Sequence, residues 1–173
     1  MPTAFTKSEL DIRAMQTAII EYLKDLAVKK GIVANRDNAV VRDLLPDIDL
    51  GFPAPNWSIP LTANTWNTIA SFRVPDKKLI VFYGIRNISG TPGATAISFK
   101  VGPQGAKTKD IEEIEPAYAL SIPCKQAIFT NPILYENGQY LTILVYSKLT
   151  KPNEYLILLG YVVEPKGETI SPD

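Results

Sequence analysis

The stretch Tyr155-Leu-Ile-Leu-Leu-Gly-Tyr-Val-Val, ending at Val163, decides the fold class. It is rich in β-branched and aromatic residues, and it is far short of the roughly 20 apolar residues a membrane helix needs. It reads as a strand apolar on both faces, where a strand with one solvated face would alternate. Working outward, similar segments recur at Trp66–Val74, Lys78–Asn87, Thr95–Val101, Ala117–Ile122, Ala127–Thr130, Gln139–Ser147 and Glu154–Glu164, with weaker ones at Ser58–Leu61 and Ile133–Tyr135. The breaks are turn material: Pro75-Asp-Lys-Lys, Ser89-Gly-Thr-Pro-Gly, Gly102-Pro-Gln-Gly, Glu136-Asn-Gly and Lys151-Pro-Asn. Short strands at this cadence, with no helical period between them, predict a mainly β fold: an antiparallel β-sandwich, jelly-roll-like, over residues 61–173. Ile80, Phe82, Thr142, Leu144, Ile157 and Leu159 lie in runs apolar on both faces. Either the N-terminal helix or a neighbouring subunit must cover the second face.

Residues 1–31 form the second unit, an amphipathic helix running from about Thr6 to Lys30. Thr6 and Glu9 have capping-box spacing, and Lys29, Lys30 and Gly31 suit a helix C-terminus. Ile12, Met15, Ile19, Tyr22 and Leu26 recur at spacings of 3, 4, 3 and 4, a seam of two heptads, which Ile20 and Leu23 widen. The stripe docks on its own domain or associates between subunits.

Residues 32–60 contain Pro46, Pro53, Pro55 and Pro60, so neither a long helix nor a central strand persists there. The span is read as an extended arm. Leu44, Leu45, Ile48, Leu50, Phe52 and Trp57 are too apolar for a solvated linker and need a surface, on this subunit or a neighbour. On this division the sandwich is expected to stay folded without residues 1–56.

Of the chain's 173 residues 46% are apolar and 21% charged, the composition of a globular protein. Lys+Arg and Asp+Glu are 18 each, so the basic excess behind general nucleic-acid or anionic-membrane binding is missing. With no histidine and one cysteine, Cys124, the sequence excludes Ser-His-Asp and Cys-His catalysis, His-ligated zinc and an intrachain disulfide. The N-terminus lacks the basic start and apolar run of a signal peptide, and the lone cysteine agrees with assembly in a reducing cytoplasm.

Few constellations carry chemistry. Asp110, Glu112, Glu113 and Glu115 crowd a connection read as a solvated acidic loop, without the alternation and glycine of a calcium loop. Asp47 and Asp49 have D-x-D spacing, but their apolar flanks suit turn and capping contacts. Cys124 stands beside Lys125 with no histidine as base. Gly102-Pro-Gln-Gly-Ala-Lys lacks the spacing of a phosphate loop. Neither catalytic residues, metal ligands nor a cofactor are expected. Trp57, Trp66 and the eight tyrosines supply an alternative function, a glycan-binding module, which needs two or three exposed coplanar aromatics beside polar groups on one face.

The amphipathic helix, the proline-punctuated arm, and a sandwich containing Phe82-Tyr-Gly-Ile-Arg-Asn, Tyr140-Leu-Thr-Ile-Leu-Val-Tyr and Tyr155-Leu-Ile-Leu-Leu-Gly-Tyr-Val-Val-Glu-Pro together resemble a small virion structural protein of a tailed bacteriophage. Within that group the chain is most similar to the capsid decoration, or cement, proteins. The likeness is one of architecture over the whole chain and assigns no individual contact. It implies a non-enzymatic homo-oligomer, a trimer by preference, assembled in the host cytoplasm and placed on the head surface of the virion. Its partners would be the major capsid protein or other virion subunits; neck, tail and fibre-anchoring posts share the same features. The residues expected at such an interface are Ile12, Met15, Ile19, Tyr22, Leu26, Leu50, Phe52 and Trp57.

Overall fold

The computed structural model describes residues 9–120 and 125–172. Thr6 of the capping-box pair and Cys124 lie outside them. Helix α1 (Glu9–Lys29) comes first, followed by β1 (Ala39–Asp43), the short helix α2 (Pro46–Leu50) and strands β2 (Ser58–Leu61), β3 (Thr65–Arg73), β4 (Leu79–Asn87), β5 (Ala94–Val101) and β6 (Lys107–Glu113). Helix α3 (Glu115–Leu120) precedes β7 (Gln126–Tyr135), β8 (Tyr140–Ser147) and the long β9 (Lys151–Pro165).

The strands form two antiparallel sheets. One runs β1-β9-β4-β7, with β2 beside β1 along the same edge of β9; the other runs β3-β8-β5-β6. The antiparallel pairs nest: β5 with β6, β4 with β7, β3 with β8 and β2 with β9. A long hairpin rolled up on itself gives this nesting, so the sandwich is a jelly roll. Between the sheets Phe82 packs on Phe99 at 5.1 Å between ring centroids, and Ile85, Ile97, Ile143 and Val145 fill the layer around them.

The second apolar face has its own cover. Helix α1 lies on the outer face of the five-stranded sheet, where Ile19, Leu23, Leu26 and Ala27 pack against Leu79, Val81, Tyr161 and Val163. Of the two covers the sequence left open, the helix is the one found. Leu23, fully buried, sits at the centre of the stripe, and Tyr22, more than half exposed, lies at its margin. The helix stops as its sequence predicts. Gly31 takes a left-handed φ of 74°, its N–H reaches Val28 O at 3.1 Å, and Ile32 N–H reaches Ala27 O at 2.9 Å. These are the two bonds of a Schellman motif, completed by apolar contact of Ile32 in the same cluster.

Four sequence-level expectations change. The arm over 32–60 is built into the sandwich: β1 pairs with β9 from Ala39↔Pro165 to Asp43↔Tyr161, and α2 turns the chain before β2 resumes the same edge. The prolines fall at helix starts, loops and a sheet edge, positions that need no ladder N–H. Of the strand expected over Ala117–Ile122, the described part, 117–120, is helical within Glu115–Leu120, with Pro116 in the first turn, where its missing N–H costs nothing, and 121–122 lie outside the described residues. The two segments around Ala127 and Ile133 are one edge strand, β7, whose register against β4 breaks so that Asn131 and Pro132 need no partner. The acidic connection is strand β6, half of it exposed, which is why its charges read as a loop.

Candidate functional site

Four charged side chains converge beneath the chain's crossing from β1 to β2. Asp49 of α2 accepts from Arg42 Nη1 and Nη2 at 2.7 and 2.8 Å, from Leu45 N–H at 2.6 Å and from Lys78 Nζ at 2.5 Å. Arg42 of β1 also donates to Glu164 of β9 at 3.0 Å, and Glu164 accepts the Ile170 N–H at 2.6 Å while Lys78 donates to Ile170 O. Asp49 and Lys78 are fully buried. Burial pushes the Asp49 carboxyl up, but the bonds from Arg42, Lys78 and Leu45 win and hold it below its ordinary value. Two cations balance two anions, and every group has partners. The cluster ties α2, β1, β4, β9 and the C-terminal tail together, so the D-x-D pair serves the fold, as its apolar flanks suggest.

A second buried carboxyl is less well served. Glu112 points from β6 into the seam between the two sheets, where Oε1 accepts Thr130 N–H of β7 at 3.1 Å and Oε2 has no partner. Burial, reinforced by the nearby Asp110 carboxylate, lifts its pKa to about 7. The folded chain therefore holds a proton that the unfolded chain releases near pH 4.5, and stability falls as pH rises from there through 7. Glu112→Gln keeps the acceptor and removes the charge. It should raise stability at pH 8 by on the order of 3 kcal/mol and change it little at pH 4. Urea unfolding at the two pH values measures this, and an equal effect at both would remove the assigned cause.

The residues expected at an interface divide. Ile19, Leu26, Leu50 and Phe52 are buried in the chain's own two cores, so their apolar surface is already used. Trp57 is half-buried edge-on to Phe52, with centroids 5.7 Å apart. Ile12 and Met15 are half-buried, and Tyr22 is 56% exposed. The features from which self-association is expected, a heptad stripe and strands apolar on both faces, are largely met within one chain.

An apolar depression remains beside the helix. Met15, Ala18, Ile19 and Tyr22 of α1 form one wall and Val81, Pro132 and Leu134 the other, enclosing about 380 Å³. It lies between α1, which packs mainly on β1 and β9, and the edge strand β7, with Val81 of β4 between them. Sequence reading finds its helix wall through Met15, Ile19 and Tyr22 but misses Pro132 and Leu134, which come close only in the fold. The aromatic alternative also divides: Trp66, 40% exposed, meets Tyr146 at 5.5 Å with planes at 66°, a corner and not a coplanar platform.

Among the described residues no three or more His, Cys, Asp and Glu groups are placed together to hold a metal ion, and no helix is long and apolar enough to cross a membrane. Comparison with known proteins finds no matching family model, no similar curated protein and no similar solved structure.

Proposed function

We propose that the chain is a non-enzymatic structural subunit of a tailed-bacteriophage virion, a cement protein of the head that binds across major capsid subunits. The observation that carries the reading is the apolar groove between α1 and β7, a depression lined by Met15, Tyr22, Pro132 and Leu134 on the outside of a rigid sandwich. An apolar surface of this kind takes an apolar partner segment, and its location on regular elements presents it without a folding cost. Two further features support it. A cement subunit gains strength from summed area over many contacts and needs no reacting group. A formal net charge of zero limits repulsion between copies crowded on one shell.

Phage heads assembled without the protein provide the test. Wild-type chain should add back to saturation. Tyr22→Asp, which alters an exposed side chain and leaves the fold intact, should weaken attachment by about tenfold or more, since a carboxylate must be desolvated on docking. Full occupancy by Tyr22→Asp and by Leu134→Asp would place the contact elsewhere and overturn the assignment of this groove.

A further inference from the structure

On the outer face of the four-stranded sheet one cross-strand row combines aromatic, small and acidic members, one from each strand. Trp66 of β3 pairs with Tyr146 of β8, Tyr146 with Ala96 of β5, and Ala96 with Glu113 of β6. Paired residues share a face, so the row is a trough: two aromatics at one end, a methyl group as floor, a carboxylate at the other. Three strand spacings make it roughly 14 Å long. Glu115 and Pro116 at the start of α3 wall the acidic end, and Lys148 reaches over to pair with Glu115. The depression encloses about 510 Å³.

The geometry points to a binding site for a neutral oligosaccharide in this trough, a function beyond the virion role and independent of it. Trp66 is 40% exposed and meets Tyr146 at a steep angle with centroids 5.5 Å apart, so the trough offers the C–H face of a sugar ring one partly exposed indole and not a platform of coplanar rings. Beyond the Ala96 floor the groups become hydrogen-bonding: the Glu113 and Glu115 carboxylates accept from hydroxyls, and Lys148 donates to them. Apolar at one end and polar at the other, over the length of two pyranose rings, the trough matches a ligand that presents both surfaces along its chain. The Glu113 and Glu115 carboxylates at the polar end repel sugars that bear carboxylates of their own. The register makes the site, since Ala96 alone keeps the middle of the row low.

Isothermal titration of the full chain with cello-, malto-, manno- and chitohexaose, and with hexagalacturonate as the acidic counterpart, tests the site. At least one neutral hexasaccharide should bind saturably, one per chain, with an affinity in the micromolar to millimolar range. Trp66→Ala should weaken it by about tenfold or more and Trp66→Tyr should largely restore it, with the far-ultraviolet spectrum unchanged. Glu113→Gln should weaken it less. No binding by any neutral hexasaccharide, tighter binding of hexagalacturonate, or binding untouched by Trp66→Ala would overturn the proposal. So would saturable binding of a hexa-arginine peptide in place of the sugars, which would make the trough a receptor for cations.

Discussion

Removal of residues 1–56 is expected to abolish folding of the whole chain, against the sequence-level expectation that the sandwich survives it. The deletion strips α1, β1 and α2. Ile19, Leu23, Leu26, Ile32 and Val33 are buried in the layer between the helix and the sheet, and their burial contributes on the order of 10 kcal/mol. Net stabilities of domains are about 5–15 kcal/mol, so the loss consumes most or all of it. The truncation also unmasks Leu79, Val81, Tyr161 and Val163, and it leaves Lys78 and Glu164 buried without Asp49 and Arg42. Circular dichroism and gel filtration of residues 57–173 should show an aggregating or unfolded chain. A soluble product with a cooperative melt would mean that the outer layer is an accessory.

The second large effect is expected at Asp49→Asn. The substitution is nearly isosteric, yet it removes the charge on which Arg42 and Lys78 both bond and leaves one uncompensated cation among buried groups. Breaking a buried, hydrogen-bonded charge pair costs about 3–5 kcal/mol. The urea midpoint should fall accordingly at an unchanged slope. The pH dependence supplies a second signature. Because the folded Asp49 titrates below its unfolded value, its contribution is fully present above about pH 4 and is lost as pH falls through the lower folded value. The variant should lack that part of the acid transition. A change below about 0.5 kcal/mol, with wild-type acid behaviour, would show that the four charges are incidental to the fold.

What the sequence discloses here is what local pattern can encode. Continuous apolar runs such as Ile80–Phe82, Ile143–Val145 and Leu156–Leu159 mark the inner strands without ambiguity, and Lys29-Lys-Gly marks the helix end. Strand β6 is hidden because Lys107-Thr-Lys-Asp-Ile-Glu-Glu forms a sheet edge, where charges are tolerated, and because its inward residue Glu112 is itself a carboxyl. Strand β1 is hidden by its brevity and by Pro46 close behind it. Segment 115–120 misleads because a single helical turn of Ala117 and Tyr118 has too few residues to separate a period of 3.6 from one of 2. Contacts between distant positions leave no local trace: Arg42 meets Glu164 across 122 residues, and Trp66 meets Glu113 only by way of two intervening strands. The candidate sites are built from such contacts. Only the helix side of the groove, through Met15, Ile19 and Tyr22, was open to reading from periodicity.

Cryo-electron microscopy of phage particles assembled with and without the chain tests the proposed role of this jelly roll as a cement subunit of the head. Density of the size of this sandwich is expected on the outer shell of the first particles, over the joints between major capsid subunits and with the α1–β7 edge facing the shell, and is expected to be missing from the second. Shells identical in the two maps, with the protein found at a neck, a tail, a fibre or nowhere on the particle, would contradict it.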